Sequence, residues 1–212
     1  LPAENLRRES VVGRIEMVGD VMVDVAEMFR EPAERRQDVL DALGVRRREY
    51  LLATAHRKGN VDDPDRLALL VDLLCGLPGP VVLPLHPRTR NRLEEHGLME
   101  RLSSEGKVVL CPPMGYIEFT SLLANARGVV TDSGGAQKEA YLAGVPCITM
   151  RDRTEWVETV DLGWNALVDL DAQAAVDALS RDVPAERPPV YGDGRAAERI
   201  VALLGEWRPG EA

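Results

Sequence analysis

The chain has 212 residues, a formal net charge of -9 and a hydrophobic content of 45%, which allow one α/β domain with a sizeable core plus a linker or tail. The acidic balance argues against non-specific nucleic-acid binding, because the electrostatic footprint of such proteins is basic. No apolar run approaches the roughly 18 residues of a membrane span, and the first residues do not resemble a signal peptide, so we predict a cytoplasmic protein without a membrane or nucleic-acid partner.

The N-terminal region has the pattern of a connection between two domains. Residues 4–10 resemble the end of a helix, Arg14–Val18 is predicted as a strand, and Val21–Phe29 begins another helical run. A further helix is predicted over Pro32–Leu43, with Gly44 as its stop.

From residue 50 onward, short apolar strands alternate with helices. The predicted strands are Tyr50–Thr54, Pro80–Leu85, Lys107–Cys111, Gly128–Thr131, Pro146–Met150 and Asn165–Val168. The predicted helices are Asp63–Cys75, Arg88–His96, Tyr116–Ala124, one starting at Gly135, Asp171–Leu179 and, after a loop over 185–194, Arg195–Trp207. This alternation is typical of a parallel sheet covered on both faces, so the predicted fold class is α/β with a doubly wound, Rossmann-like sheet.

The stretch Gly128–Gly144 combines a strand, a glycine turn and the start of a helix. Gly134 and Gly135 let a ligand approach the backbone without a Cβ in the way. The first N–H groups of a helix have no partner within it, and the helix dipole adds partial positive charge, so such a start binds anions and most often phosphate. From these residues alone, simple capping of the helix by Asp132 or Ser133 is an equally good interpretation.

Polar or aromatic residues follow four of the predicted strands. They are His56, His86, Tyr116 with Phe119, and the segment Ser133–Glu139. Because doubly wound sheets bind ligands outside the carboxyl ends of their strands, these four loops should converge on one edge. A histidine there suits proton transfer near neutral pH and equally suits donation to a phosphate oxygen. Tyr116 and Phe119 also stand at helical spacing, which would fit residues of the core.

The segment TDSGGAQKEAYLAGVPCITMRDRTEW, which begins at Thr131, resembles the signature of the non-hydrolysing UDP-N-acetylglucosamine 2-epimerases. Two further loops, HRKGN from His56 and LPLHP ending at Pro87, are similar to histidine loops of that family. The resemblance implies the carboxy-terminal half of a GT-B fold, in which two Rossmann-like domains face each other across a cleft. It divides the chain into the end of an amino-terminal domain with its linker (1–30), a UDP-binding domain (31–190), and a loop with a crossover helix (191–212).

The same resemblance implies roles for individual residues. His56 would be the catalytic residue, Glu139 would hold the ribose, and Phe119 would stack on uracil. The residues implied at the diphosphate are His86, Ser133, Gly134 and Gly135, and the further candidates for UDP binding are Arg57, Tyr116 and Arg151.

Two positions depart from the family pattern. The glutamate of the motif His-Arg-x-Glu-Asn is Gly59 here, and Trp156-Val157 replaces an Arg-Pro pair. The Thr-Glu-Trp form resembles a branch that includes archaeal members and epimerases acting on UDP-2,3-diacetamido-2,3-dideoxyglucuronate. That sugar nucleotide is therefore an alternative substrate.

The function that the resemblance implies is interconversion of UDP-GlcNAc and UDP-ManNAc. UDP is eliminated to leave a glycal and is added back after the configuration at C2 has changed, without a metal or a nicotinamide cofactor. The principal acid/base carboxylates of the family lie in its amino-terminal domain. We therefore predict that the isolated 212-residue chain is inactive and that the full-length enzyme is a homodimer acting on a UDP-sugar.

Two other classes of function fit the residues. A GT-B glycosyltransferase shares the fold and a phosphate-binding helix start, although the TDSGG series followed by RDRTEW favours the epimerase. A non-catalytic nucleotide-binding module is also compatible with the sequence, because the chain offers no complete catalytic set.

Overall fold

The structure is a computed structural model that describes residues 2–104 and 107–206. Its strands, within these residues, are β1 (Leu51–Thr54), β2 (Val81–Pro84), β3 (Val108–Cys111), β4 (Gly128–Thr131), β5 (Cys147–Thr149) and β6 (Asn165–Leu167). Its helices are α1 (Pro2–Arg8), α2 (Val21–Glu34), α3 (Gln37–Ala42), α4 (Lys58–Val61), α5 (Pro64–Gly76), α6 (Pro87–Glu95), α7 (Met99–Ser104), α8 (Tyr116–Asn125), α9 (Gly134–Ala143), α10 (Val157–Asp161), α11 (Ala172–Leu179) and α12 (Ala196–Glu206).

The strands form one parallel sheet in the order β3-β2-β1-β4-β5-β6. β1 pairs with β4 so that Leu51 lies opposite Gly128 and Thr54 lies opposite Thr131. The order in which strands are added reverses between β1 and β4, and doubly wound sheets bind their ligands at this switch point. The predicted α/β class with a doubly wound, Rossmann-like sheet is confirmed, and such a sheet is the kind that forms one half of a GT-B fold.

Hydrophobic layers cover both faces of the sheet. Leu51 and Ala53 of β1 pack in one buried cluster with side chains of α5, α6, α7 and α11. Leu52, which lies between them in the chain, packs on the opposite face with side chains of α3, α8 and α9. Successive side chains of a strand point to opposite faces, so the continuous apolar runs of the sequence bury both. The consequence for the site is that α5 and α9, which follow β1 and β4, leave the sheet on opposite faces.

The strand predicted at Arg14–Val18 is wrong. These residues form neither helix nor strand in the structure, and they join no sheet in the part of the chain that it describes. Met17 is 67% exposed, so this segment does not have the buried face that stabilises strand pairing.

The helix predicted over Pro32–Leu43 has the wrong bounds. Pro32 lies inside α2, and the next helix, α3, begins only at Gln37. A proline lacks the N–H group, but so close to the end of a helix its main cost is one intrahelical hydrogen bond, and α2 continues past it to Glu34. Gly44 follows α3 as predicted, with a φ of 65° that glycine adopts without strain.

The elements predicted from residue 50 onward are confirmed, and their bounds within the described residues differ from the observed ones by one residue at most. The sequence missed three short helices, α4, α7 and α10, which have 4, 6 and 5 residues. Helices of this length make fewer than two turns, so no periodic apolar face announces them.

The chain divides into two compact units. Phe29–Arg187 contains the whole sheet, and the other unit combines the residues up to Met28 with those from Pro188 onward. The roles predicted for residues 1–30 and 191–212 stay predictions.

Helix α12 is anchored at its start within its own unit. The carboxylate of Asp24 accepts the backbone N–H groups of Ala196 and Ala197 at 3.1 and 2.8 Å, which satisfies two of the free donors of the first turn. Val201 and Leu204 in the later turns are exposed. Trp207, predicted as the last residue of the helix, lies outside the described residues. Among the helices described, none is long and apolar enough to span a bilayer.

Candidate functional site

The candidate site lies where β1 and β4 end side by side. Thr54 and Thr131 close these strands, and their hydroxyl oxygens are 2.5 Å apart. The chain after β1 leads through α4 to α5 on one face, and the chain after β4 leads to α9 on the other, which is the arrangement in which doubly wound sheets form a ligand crevice between two loops. The loop after β1 carries His56, the loop after β4 carries Ser133, and the loop after β2 brings His86 to the same edge.

The glycine turn forms the start of α9. Ser133 is its N-cap residue, and the side-chain oxygen accepts the backbone N–H of Ala136 at 3.5 Å. Gly134 and Gly135 occupy the first two helical positions, so their N–H groups have no carbonyl partner within the helix. A Cβ built on the exposed Gly135 meets no atom closer than the Ser133 hydroxyl oxygen at 3.8 Å, so the space beside this residue is open. Capping and anion binding, the two interpretations of this sequence, are therefore compatible.

Asp132, beside the turn, has contacts that the sequence did not predict. Its side chain is fully buried, and the carboxylate accepts the backbone N–H groups of His56 at 3.1 Å and Arg57 at 2.9 Å. The side-chain amide of Asn60 donates to the same carboxylate at 3.4 Å and to the carbonyl of Met150 at 2.9 Å. Asp132 thus fixes the loop after β1 against the loop after β4, and it sets where His56 stands.

The two histidines of the edge lie together. The ring centroids of His56 and His86 are 5.5 Å apart. His56 is 41% exposed, and its Nδ1 lies 3.7 Å from a carboxylate oxygen of Asp132, within the range of an ion pair but beyond that of a hydrogen bond. In His86, Nδ1 accepts the backbone N–H of Arg88 at 3.1 Å, so the proton of the neutral ring is on Nε2, which is left as a donor.

Glu139 is a half-buried carboxylate on α9, and burial raises the pKa of its carboxyl to about 7. The pKa of Tyr116 is also raised, first by burial and then by the negative charge of Glu139, so the two groups are close enough to interact. Tyr116 is 39% exposed, and its ring meets that of Phe29 edge-on at 5.5 Å. A carboxyl with a perturbed pKa at the edge of a crevice is typical of a functional site.

Phe119 lies in the same helix as Tyr116, and its ring is partly buried against the core and partly exposed. Its half-buried ring packs against the buried cluster that contains Leu122 and Leu123 of α8. The interpretation of Phe119 as a core residue therefore holds for the part of the ring that packs against this cluster. Its stacking on a base stays a prediction.

Trp156, the residue that departs from the family pattern, supports the glycine turn. Its indole Nε1 donates to the carbonyl of Gly134 at 2.8 Å. The ammonium of Lys138 lies 3.7 Å from the centroid of the same ring, in the geometry of a cation–π contact. A tryptophan thus reaches the turn at the position where the family pattern has an arginine, and no pattern in the sequence predicted this contact.

Arg151 follows β5 and is committed to a neighbouring carboxylate. Its guanidinium donates twice to Glu155, at 2.8 and 2.9 Å, and this pairing lowers the pKa of the Glu155 carboxyl to about 2. A Cβ at Gly134 would lie 3.6 Å from a Glu155 oxygen and 3.9 Å from Nη2 of Arg57. The structure therefore brings Arg57 to the glycine turn, while the charge of Arg151 neutralises the carboxylate beside it.

No metal centre is assembled from the residues that the structure describes, since no group of three or more His, Cys, Asp or Glu side chains is placed to hold an ion. The absence of a metal and of a cofactor from the reaction stays a prediction.

The comparison with known sequences extends over almost the whole chain. Residues 2–205 match the model of a family described as UDP-N-acetylglucosamine 2-epimerase. The chain is 40% identical to the UDP-2,3-diacetamido-2,3-dideoxy-D-glucuronate 2-epimerase of Pseudomonas aeruginosa and 36% identical to the UDP-N-acetylglucosamine 2-epimerase of Methanocaldococcus jannaschii. These matches cover 96% and 94% of this chain but 57% of each relative, so the chain spans little more than half of their length.

Solved structures give the same result. The M. jannaschii UDP-GlcNAc 2-epimerase in complex with UDP-GlcNAc and UDP has a TM-score of 0.87 and 36% identity, over 97% of this chain and 59% of that one. The Neisseria meningitidis UDP-GlcNAc 2-epimerase bound to UDP-GlcNAc has a TM-score of 0.81 and 26% identity, over 96% and 59% of the two chains.

Proposed function

The chain belongs to the UDP-N-acetylglucosamine 2-epimerase family, as its sequence predicts, and we propose that it supplies the UDP-binding half of a UDP-sugar 2-epimerase. The reaction is the interconversion of UDP-GlcNAc and UDP-ManNAc. One observation carries the proposal. The glycine turn that starts α9 and two histidines, whose ring centroids are 5.5 Å apart, all follow strands at the switch-point edge of the sheet.

The diphosphate would bind at the turn that starts α9. The free N–H groups of Gly134 and Gly135 and the dipole of the helix favour an anion there, and the space beside Gly135 is open. Arg57 stands beside the turn and adds positive charge, and His86 offers its Nε2 proton to a phosphate oxygen. The buried Asp132 serves this site indirectly, because it fixes the loop that carries Arg57.

The nucleoside would lie along α9 and α8. Glu139, in its ionised form, would accept the hydrogen bonds of the ribose hydroxyls. Its pKa is raised because burial disfavours the charged form of a carboxylate that has no ligand. The exposed part of the Phe119 ring would stack on uracil, a contact worth about 1–3 kcal/mol. The exposed edge of Tyr116 would border the same region.

The chemical step would be elimination of UDP across C1–C2 of the sugar. The C2–H bond and the C1–O bond both break, UDP leaves with the C1–O electron pair, and a glycal remains. UDP then adds back at C1, and a proton adds to C2 on the opposite face, which gives the epimer. His56 is the proposed acid/base group of this chain, since it is 41% exposed at the crevice and held in place by Asp132.

A second sugar nucleotide is a candidate substrate of the same reaction. The relative with 40% identity is a UDP-2,3-diacetamido-2,3-dideoxy-D-glucuronate 2-epimerase, and the Thr154-Glu155-Trp156 form of the motif points to the same branch. We therefore include that sugar nucleotide beside UDP-GlcNAc as a candidate substrate.

We also propose that the full-length protein is a cytoplasmic homodimer. Sedimentation velocity of the full-length protein tests the dimer, and a monomer would contradict it.

The diphosphate site is tested by calorimetric titration of UDP into the wild-type chain and into Gly135→Val. The new side chain has room in the free protein but would occupy the space of the phosphate, so UDP should bind at least tenfold more weakly, about 1.4 kcal/mol.

Gly205→Val is the matched control, because that glycine also lies in a helix with open space at its Cβ position but belongs to the unit that does not contain the sheet. Its affinity for UDP should equal that of the wild type. Equal UDP affinity in a folded Gly135→Val variant would contradict the proposed site.

A further inference from the structure

Four polar side chains form a buried hydrogen-bonded cluster beside α9, and the proposed function gives none of them a role. They are Gln137 of α9, Thr149 of β5, Thr159 of α10 and Asn165 of β6, and each is at most 5% exposed. Thr154, from the loop after β5, joins the cluster because its hydroxyl donates to Oε1 of Gln137 at 2.6 Å. Such a cluster fixes the relative positions of the elements that carry it, since each buried polar group needs its partner.

The neighbours of Gln137 determine which end of its amide faces them. The hydroxyl of Thr159 donates to the carbonyl of Trp156 at 2.7 Å, so in its contact of 3.2 Å with Asn165 it accepts from Nδ2 of that residue. The same Nδ2 lies 3.2 Å from the amide of Gln137, which therefore presents its oxygen there. Oε1 of Gln137 thus accepts from Asn165 and from Thr154, and it ties β6 and the loop after β5 to α9.

The amide nitrogen of Gln137 is not satisfied in the same way. The side chain is fully buried, and its Nε2 has no hydrogen-bond partner among the residues that the structure describes. A buried donor without an acceptor destabilises the folded chain, and a methionine of similar length would avoid this cost. The advantage of glutamine at this position therefore lies in its oxygen and in what that oxygen holds in place.

Thr154 and Trp156 attach the loop after β5 to the first turn of α9. The Thr154 hydroxyl, besides donating to Gln137, accepts the backbone N–H of Trp156 at 3.0 Å, which sets the course of the chain between the two loop residues. The indole of Trp156 then donates to the carbonyl of Gly134 at 2.8 Å. Gly134 and Gln137 are three positions apart on the helix, so both attachments lie on one of its faces.

The attachment through the indole acts on a peptide unit of the proposed diphosphate site. The carbonyl of Gly134 and the N–H of Gly135 belong to one trans peptide, so they point in opposite directions. The bond from the indole to this carbonyl fixes the direction of the N–H, and it also polarises the peptide and makes the N–H a stronger donor. The N–H of Gly135 is one of the donors proposed for the phosphate.

From these contacts we infer that Gln137 and Thr154 are positioning residues for the diphosphate of the ligand. The oxygen of Gln137 holds the Thr154 hydroxyl, and this hydroxyl places Trp156. The indole of Trp156 in turn aims the N–H of Gly135 at a phosphate oxygen. This inference rests on the proposed function, because it takes the diphosphate to bind at the turn. Loss of either positioning residue should therefore weaken the contact with the phosphates and leave that with the nucleoside unchanged.

Thr154→Val tests the inference, because valine has the shape of threonine without the hydroxyl and the side chain is only half-buried. The affinity of the 212-residue chain for UDP, measured by calorimetry, should fall roughly 2- to 10-fold, and Thr154→Ser should restore it. Gln137→Met, which removes the acceptor itself, should weaken UDP binding in the same way. Uridine, which lacks the phosphates, should bind all four proteins equally in an NMR titration.

The indole N–H signals in the NMR spectrum report the contact directly. The chain has three tryptophans, and the signals of Trp156 and Trp164 are assigned by their absence in Trp156→Phe and Trp164→Phe. In Thr154→Val the Trp156 signal should move upfield as its hydrogen bond weakens, while that of Trp164, which donates to Glu186, stays in place. The double variant Thr154→Val/Trp156→Phe should bind UDP no more weakly than the weaker of the two single variants, because both substitutions remove one contact.

A folded Thr154→Val chain that binds UDP as tightly as the wild type would overturn the inference. An equal loss of UDP and uridine affinity would also overturn it, because the effect would then not be specific to the phosphates. Additive losses in the double variant would show that Thr154 does not act through Trp156. In all these cases the wild type still binds UDP and the proposed function stands. If the wild-type chain does not bind UDP, the proposed function fails and the inference fails with it.

Discussion

The carboxylate of Asp132, fully buried after β4, accepts the backbone N–H of Arg57 at 2.9 Å and so ties together the two loops that meet at the switch point. Asp132→Asn would turn one acceptor oxygen into an NH₂ group that faces backbone donors. We expect a loss of about 1–3 kcal/mol in the free energy of unfolding, because a buried donor is left unsatisfied. Urea unfolding measures this loss, and UDP affinity should fall as well because the loop is displaced.

Asp41→Asn is the control for this substitution, since Asp41 is exposed and its carboxylate accepts from the side chain of Gln37 at 2.9 Å. It should change the stability by less than about 0.5 kcal/mol. If Asp132→Asn is as stable as Asp41→Asn, the carboxylate does not hold the loop.

The role of Asp132 shows where prediction from this sequence ends. The glycine turn, the strand before it and the helix after it are local, and residue preferences within Gly128–Gly144 are sufficient to predict them. Two residues, Asp132 and Ser133, were equal candidates for the cap, and only the structure shows that Ser133 caps while Asp132 reaches a loop 75 positions away in the chain. Such a contact depends on which strands are neighbours, and the local pattern does not specify this.

The distinction between local sequence patterns and contacts of residues far apart in the chain also explains where the other predictions differ from the structure. The strands of the sheet were predicted from short apolar runs, which a sheet covered on both faces buries, whereas Arg14–Val18 contains two charged residues and joins no sheet in the described structure. The contact of Trp156 with Gly134 also links residues 22 positions apart, and an indole nitrogen in a sequence gives no sign of the carbonyl that it will meet.

The raised pKa of Glu139 predicts a pH-dependent stability. Below about pH 4.5 its carboxyl is protonated in both the folded and the unfolded chain, so it imposes no penalty on folding. As the pH rises toward 7 the unfolded chain loses this proton first, and the penalty grows until the folded form also ionises at about 7. Glu139→Gln should therefore match the wild type near pH 4.5 and exceed it by about 2–3 kcal/mol at pH 8.

Chemical unfolding at several pH values, without UDP, measures this difference. Glu49→Gln removes one negative charge at an exposed position and controls for the change in net charge. A difference between wild type and Glu139→Gln that stays constant with pH would contradict the assignment of a penalised carboxylate. The ligand gives a second readout: UDP should bind the wild type more tightly than Glu139→Gln at pH 8, since the ionised carboxylate is the proposed acceptor for the ribose.

Trp156→Phe tests the support of the glycine turn. The substitution keeps an aromatic face for Lys138 but removes the hydrogen bond to the Gly134 carbonyl. A neutral hydrogen bond contributes about 0.5–1.5 kcal/mol, so UDP should bind roughly 2- to 10-fold more weakly if the bond holds the turn in its binding geometry.

Trp164→Phe is the matched control. That indole donates to the carbonyl of Glu186 at 3.0 Å, so an equivalent bond is lost away from the turn, and the stability should fall while UDP affinity stays unchanged. Equal UDP affinities in Trp156→Phe and Trp164→Phe would show that Trp156 has no specific role at the site.

The 212-residue chain is predicted to bind UDP and yet to convert no UDP-GlcNAc. Removal of the proton at C2 needs a base in one closed geometry with the departing phosphate. Three carboxylates near the crevice are engaged in other ways, since Asp132 is buried under a loop, Glu155 is paired with Arg151, and Glu139 is the proposed ribose ligand. His56 is the proposed acid/base group of this chain and His86 is the proposed phosphate donor, so the base that removes the C2 proton still has to come from elsewhere.

A proton NMR time course of UDP-GlcNAc with the purified chain tests this prediction, with calorimetric UDP binding as proof that the sample is competent. No anomeric signal of the ManNAc product should appear. His56→Ala, prepared in parallel, separates trace contamination from turnover by the chain itself. A product signal that grows in proportion to the wild-type protein and vanishes in His56→Ala would mean that this half of the fold holds the complete catalytic set, and that one of the three carboxylates has a role in proton transfer.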